Sequence, residues 1–193
     1  LPHHEKLKSF GACFGVSGGY ERPMWFALDG EKAEYEYSYN YQNWYPSAEY
    51  ETNNTTKNVG LFDLTPFSKF EIISDNAHQE LQRICTANIK NEFGKCTYTH
   101  MLNSDGGIET DLTVVCLDKN HFRLISSAAT RERDKFHIKK HLSNEIKIKD
   151  VSDNFCVFGL FGPKSRDLIK MISKDDFENE NFKFGTGKNI LIE

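Results

Sequence analysis

The residues best suited to chemistry lie on either side of one turn. Tyr98-Thr99-His100-Met101-Leu102 leads into Asn103-Ser104-Asp105-Gly106-Gly107, and Ile108-Glu109-Thr110-Asp111-Leu112-Thr113-Val114-Val115 comes next. The middle five residues are strong turn formers, and a hairpin sets residues before a turn across from those after it. Tyr98 and Asp111 are therefore predicted to share a neighbourhood. Strand alternation puts Asp111 on one face with Thr113 and Val115, and Leu112 and Val114 on the other. A carboxylate can act as a general base where pKa and distance suit. The competing reading places Asp111 on a solvated strand face, the usual location of aspartate. Burying it in an apolar strand without a partner would be costly.

Other chemical signatures are missing or fail on inspection. No Gly-x-Gly-x-x-Gly follows an opening strand, and no Gly-x-Ser-x-Gly elbow occurs. Gly185-Thr186-Gly187-Lys188 has Phe182 where a phosphate loop needs its first glycine, and Asn189 where it needs Ser or Thr. His137 and His141 have the four-residue spacing of a helical metal pair, but no Glu follows His137 and no third ligand is near. No metal site is expected.

The elements that must position the hairpin are strands alternating with helices from Val59 onward. Short strands are predicted at 59–64 and 67–73, then a helix from a cap at Asp75 or Asn76 through about Asn88. Strands come next at Lys95 to Leu102, Ile108 to Leu117 and His121 to Ser126. A helix spans Thr130 to Leu142, with Phe136 and Ile138 as its main apolar points. Strands at Ile146 to Val151 and Phe155 to Phe161 lead to Gly162-Pro163, which opens a helix through Ile172. That helix turns Leu168, Ile169 and Ile172 toward a core. Lys188 to Glu193 reads as a strand. Before Val59, residues 1 to about 28 read as an ordered connector rich in glycine and aromatics. Glu34 to Tyr41 has a strand-like period of two, and Asn53 to Asn58 reads as a loop. The order is α+β, with antiparallel hairpins and helices packed on a face.

Bulk properties exclude more than they suggest. The chain has 193 residues and a formal net charge of −4. That balance argues against a nucleic-acid partner, which usually needs a basic field. No apolar run approaches the ~20 residues that span a bilayer. The start, Leu1-Pro2-His3-His4-Glu5, has no apolar leader core. Cys13, Cys85, Cys96, Cys116 and Cys156 are odd in number and form no Cys-x-x-Cys pair. Reduced, mostly packed thiols are expected.

The hairpin stretch fits the pattern Tyr-Thr-x-Met-Leu-Asn-x-x-Gly-Gly-Ile-x-x-Asp-Leu, and on it the chain resembles the aminomethyltransferase family that includes the glycine-cleavage tetrahydrofolate enzyme. Val59-Gly60-Leu61-Phe62-Asp63-Leu64 with Phe67-Ser68-Lys69-Phe70-Glu71 resembles that family's opening strand pair. Phe158-Gly159-Leu160-Phe161-Gly162-Pro163-Lys164-Ser165-Arg166 resembles its later Gly-Pro-x-Ser turn. Leu7-Lys8-Ser9-Phe10-Gly11-Ala12, Phe14-Gly15 and Tyr20-Glu21-Arg22-Pro23-Met24-Trp25-Phe26 resemble the central segment of dimethylglycine and sarcosine dehydrogenases. Asn43-Trp44-Tyr45 is similar to the next stretch of those enzymes.

The resemblance implies a connector over 1–55 and the first part of a folate-binding domain over 56–193, with the fold incomplete at the C-terminus. It implies tetrahydrofolate as cofactor, and FAD only in an upstream domain of the same polypeptide. Asp111 would lie against the folate amines and act as the catalytic carboxylate. Tyr98 and Phe67 would stand beside the pterin, and Thr113 and Val115 would line the same groove. For Tyr98 and Phe67 the alternative is ordinary core packing. The upstream domain would oxidise an N-methyl amine of the dimethylglycine or sarcosine type, and the one-carbon unit would pass to tetrahydrofolate. By itself the chain would oxidise nothing, and the family's site also uses residues around a Gly-Glu turn further downstream. The expected compartment is the bacterial cytoplasm or the mitochondrial matrix. A free-standing folate-dependent aminomethyltransferase or demethylase and a non-catalytic regulatory relative are the alternatives.

Overall fold

The computed structural model describes residues 3–193. Leu1 and Pro2, part of the start that was read for a leader, lie outside them. The elements run α1 (His4–Ser9), β1 (Ala12–Ser17), β2 (Tyr20–Phe26), α2 (Tyr45–Lys57), β3 (Gly60–Asp63), β4 (Ser68–Ile73) and α3 (Ala77–Ile84). Next come β5 (Cys96–Leu102), β6 (Ile108–Asp118), β7 (His121–Ser126), α4 (Arg131–His141), β8 (Ile148–Asp150), β9 (Phe158–Phe161) and α5 (Ser165–Ile172). They form two compact units. One runs through Thr65 and resumes over Val157–Ile172; the other covers Pro66–Cys156 and Ser173–Glu193.

The second unit is built on a five-stranded antiparallel sheet of order β5-β6-β7-β4-β8. Alternation separates the two faces in β6 and β7, whereas β4 is buried on both, Lys69 and Glu71 included. Leu112, Val114 and Cys116 of β6 are buried with Phe122 and Leu124 of β7 and Phe70 and Ile72 of β4. Ala77 and Leu81 of α3 and Ile138 of α4 close the same core. Phe136, expected to help, is instead 69 % exposed. Residues two apart on a helix point about 200° away from each other, so only Ile138 reaches the sheet.

The edge of this unit is pinned by ions. Arg131 Nε donates to Asp150 Oδ2 at 2.9 Å, and Ser152 donates to Asp150 Oδ1 through its N–H at 3.0 Å and its hydroxyl at 2.7 Å. Burial opposes the Asp150 charge, but Arg131 and Ser152 outweigh it and hold the carboxyl at about 2, against an ordinary 3.8. A carboxyl depressed in the folded state stabilises above its unfolded value and stops doing so as pH falls through its folded one. The contribution is on the order of 2 kcal/mol at neutral pH. Asp150→Asn should therefore lower unfolding free energy by about that much at pH 7, and the gap should close between about pH 4 and pH 2. Urea titrations at both ends of the range check it; a gap that persists undiminished at about pH 2 contradicts the pairing.

In the first unit β1 and β2 form an antiparallel hairpin, and β3 pairs antiparallel with β9. Gly162, at φ +116°, closes this unit tightly: a Cβ there would stand 2.5 Å from the carbonyl oxygens of both Thr55 and Asn58. Only glycine suits that backbone.

Several local expectations are corrected. Residues 53–58 are not a loop; Asn53 to Lys57 form the last part of α2. The segment is polar because only Ser47 of the whole helix is buried, and its end is tied by Asn54 Nδ2 donating to the Val59 carbonyl at 2.8 Å. Glu34 to Tyr41 is not a strand. Its backbone bonds go to side-chain amides: Glu36 N–H to Asn43 Oδ1 at 3.1 Å, and Asn43 Nδ2 to the Glu34 carbonyl at 2.8 Å. Its tyrosines join a ring cluster, with Tyr35 and Tyr37 stacked at 5.4 Å and Tyr35 edge-on to Trp44 at 5.0 Å. The helix expected to reach Asn88 stops at Ile84, because Cys85 turns extended. None of α5 is fully buried, so Leu168 and Ile169 are only half-covered and Ile172 is exposed. Lys188 to Glu193 is not a strand; the nearest pairing is an isolated bridge of Thr186 with Lys95. All five cysteines are free thiols, with Cys13, Cys85 and Cys116 buried.

Candidate functional site

The hairpin of β5 and β6 forms as its residue types require. Asn103 Oδ1 accepts from the Asp105 N–H at 3.0 Å and the Gly107 N–H at 2.9 Å. Gly106 takes φ +80°, which glycine adopts without strain. The register sets Tyr98 opposite Thr113 and His100 opposite Asp111. Tyr98 and Asp111 are thus diagonal neighbours on one face, within reach of a long side chain.

The structure brings these two into contact. The Tyr98 hydroxyl donates to Asp111 Oδ2 at 3.2 Å. Both side chains are exposed, Tyr98 at 62 %. Asp111 is therefore on a solvent-facing surface, as the competing reading had it, but with a fixed hydroxyl partner. Local desolvation, then the Asp111 charge and the hydrogen bond to it, hold the Tyr98 hydroxyl above the usual phenol range. It stays protonated at neutral pH and serves as donor.

Thr113 and Val115 share the Asp111 face, both half-buried, while Thr110, Leu112 and Val114 point into the core. Phe67 precedes β4 by one residue, and alternation through Lys69 and Glu71 assigns it to this same face. It is 37 % exposed. The patch thus offers an aromatic ring, a second aromatic further across the sheet, half-buried aliphatic surface and one carboxylate. This donor set fits a flat, partly apolar ligand that carries N–H groups. Asp111 Oδ2 is engaged by Tyr98, and Oδ1 is left to accept.

Sequence reasoning missed His100. Its ring packs edge-on against Tyr98 at 5.3 Å, so it buttresses the tyrosine that holds Asp111. The signal was present, because His100 is two residues from Tyr98 and alternation gives both the same face. Further along this face Arg123 Nη2 meets Glu71 Oε1 at 2.5 Å and stacks on Phe155 at 4.0 Å. His121 Nε2 lies 3.2 Å from the other Glu71 oxygen. Burial opposes the Glu71 charge, but Arg123 and then His121 prevail and hold its carboxyl below the usual range. The His137 and His141 rings lie 4.6 Å apart, and among the described residues no group of three candidate ligands forms.

Comparison with known proteins places the fold and the family. The GCVT N-terminal domain family model matches residues 3–193, and the chain belongs to that family. It is 33 % identical over 192 residues to the 4-methylaminobutanoate oxidase (formaldehyde-forming) of Paenarthrobacter nicotinovorans, covering 99 % of this chain and 23 % of that protein. It is 29 % identical over 190 residues to the mitochondrial dimethylglycine dehydrogenase of Rattus norvegicus, covering 97 % of this chain and 22 % of that protein. The chain therefore spans less than a quarter of the length of either of these two relatives. Among solved structures, the glycine cleavage system aminomethyltransferase T from Bartonella henselae aligns with a TM-score of 0.73 at 20 % identity, over 89 % of this chain and 42 % of that one. The α+β architecture read from the sequence is thus the aminomethyltransferase fold. Among the described residues no helix is long and apolar enough to cross a membrane.

Proposed function

We propose that this chain is the tetrahydrofolate-binding part of a flavin-linked dehydrogenase that demethylates an N-methyl amine of the dimethylglycine or sarcosine type. In this reading residues 1–55 join an upstream flavin domain to a folate-binding part that begins at residue 56. The observation that carries it is the Tyr98–Asp111 hydrogen bond on the exposed face of a GCVT-family hairpin. Bound tetrahydrofolate would supply the amine that takes up the one-carbon unit.

The chain's own residues do the rest. Tyr98 donates to Oδ2 and so orients the carboxylate, leaving Oδ1 to accept a ligand N–H. Asp111 holds that amine and takes its proton as the new carbon–nitrogen bond forms. Tyr98 and Phe67 offer ring surface to the pterin, and Thr113 and Val115 the aliphatic wall. His100 keeps the Tyr98 ring in place.

The test uses the full-length protein oxidising dimethylglycine or sarcosine with an excess of a formaldehyde scavenger. With tetrahydrofolate present, the product should shift from scavenged formaldehyde to methylenetetrahydrofolate. If the scavenger captures every one-carbon equivalent regardless of tetrahydrofolate, and dialysis detects no folate binding, the reading is wrong.

A further inference from the structure

The open face of the second unit's sheet continues past the Tyr98–Asp111 pair. Along β6, Asp111, Thr113 and Val115 share that face, and the register partner of Val115 on β7 is Arg123. Strand geometry sets Arg123 about 14 Å from Asp111, since it lies four residues along at ~3.4 Å each and one strand across at ~4.8 Å. Between them Ile125, the register partner of Thr113, adds half-buried aliphatic surface.

Arg123 is held as a fixed fork. Its Nε and Nη2 both donate to Glu71 Oε1, at 3.1 and 2.5 Å, and its guanidinium stacks on Phe155 at 4.0 Å. One edge and one face of the plane are thereby set. The remaining nitrogen, Nη1, makes no hydrogen bond among the described residues and is open to solvent. A guanidinium oriented in advance loses little freedom when it receives a carboxylate. Glu71 does not cancel the local charge. Its register partner on β8 is Lys149, which is exposed, so the row Arg123–Glu71–Lys149 keeps a surplus positive charge. His121, at 3.2 Å from the other Glu71 oxygen, adds no negative charge.

We propose that Arg123 receives a carboxylate of the glutamate arm of tetrahydrofolate and so makes the site prefer a ligand with an acidic tail. The inference rests on the folate reading and adds a residue which that reading does not use. With a ligand amine held at Asp111, the arm runs along Thr113 and Val115 toward β7. The p-aminobenzoyl-glutamate arm spans on the order of 10 Å at about 1.3–1.5 Å per bond, and the arginine side chain covers the remaining distance. A carboxylate meeting Nη1 there forms a charge-assisted hydrogen bond, stronger than a neutral one.

Anaerobic equilibrium dialysis against the full-length protein tests it with two ligands, tetrahydrofolate and its diamide, in which both glutamate carboxylates are carboxamides. Wild type should bind the diamide about tenfold more weakly, the effect of losing one charged hydrogen bond. Arg123→Gln should weaken tetrahydrofolate by about the same factor and leave the diamide within about twofold. That variant also strips a buried carboxylate of its partner, so Arg123→Gln combined with Glu71→Gln is measured beside it. The pair removes both charges and should lose the preference equally. A preference for the acid that survives in both variants overturns the proposal, as does a loss that falls equally on acid and amide. Binding of neither ligand to wild type rejects the folate reading itself and takes this inference with it, so the two failures are told apart.

Discussion

Asp111→Ala in the full-length protein is expected to slow tetrahydrofolate-coupled capture of the one-carbon unit by about 10²- to 10⁴-fold, the usual effect of removing a general base. Amine oxidation upstream should continue at its wild-type rate, with the carbon released as formaldehyde. The fold should survive, since Asp111 is exposed and, among the described residues, the Tyr98 hydroxyl is the one hydrogen-bond partner of its side chain. Surface substitutions of this kind usually shift stability by no more than about 0.5 kcal/mol. Asp111→Asn sharpens the result. It can still accept from Tyr98 but cannot take a proton, so its capture rate should fall nearly as far as that of the alanine variant. Tyr98→Phe removes one hydrogen bond of 3.2 Å, longer than the usual O–H···O contact, and should cost only about tenfold or less. Rapid-quench measurement of methylenetetrahydrofolate separates these cases. A capture rate within a factor of about three of wild type for Asp111→Ala would remove the carboxylate from the mechanism.

Phe70→Ala is expected to destabilise the second unit by about 3–5 kcal/mol, the range for deleting a buried phenylalanine side chain. Phe70 is fully buried on β4, which pairs with β7 on one side and β8 on the other. Leu124 is its register partner across β7, and Ile72 and Phe122 belong to the same cluster. Truncation there leaves a cavity that neighbours fixed by sheet hydrogen bonds cannot fill. Against a typical total of about 5–15 kcal/mol, that loss should bring the unit close to unfolding at about 37 °C. Denaturant unfolding of the full-length protein, followed by a probe confined to this unit, checks it. A loss below about 1 kcal/mol would mean that the core is far looser than described. Functionally, the same sheet that buries Phe70 on one face presents Asp111 on the other. Folate capture should therefore fall with unfolding of this unit, and should recover where Phe70→Leu keeps most of the volume.

What was legible in the residues was local. The β5–β6 hairpin follows from Asn103 to Gly107, because an asparagine cap and a glycine at positive φ write the turn into five consecutive positions. Once the turn is set, period-two alternation fixes which of residues 110–115 face the core, and the burial pattern of β6 obeys it. Misreadings fell where a distant group decides. Glu34 to Tyr41 alternates like a strand, yet Asn43 supplies the backbone bonds a partner strand would have given. Asn53 to Lys57 is polar enough for a loop, but it continues a helix held by contacts such as Glu51 to the Phe26 N–H. Lys188 to Glu193 has strand-forming residues, and a strand without a ladder is not one.

By itself the sequence determined the hairpin, the face of Asp111 and its nearness to Tyr98, since each follows from short-range turn and pleat geometry. Only the tertiary structure decided that Asp111 is exposed, that Tyr98 rather than burial is its partner, and that His100 braces that tyrosine. It alone brought Arg22 Nη2 to the Asp63 carbonyl across 41 positions. The physical reason is the same throughout. Backbone periodicity is encoded by neighbours in sequence, whereas desolvation and hydrogen-bond completion depend on which remote side chains packing brings together.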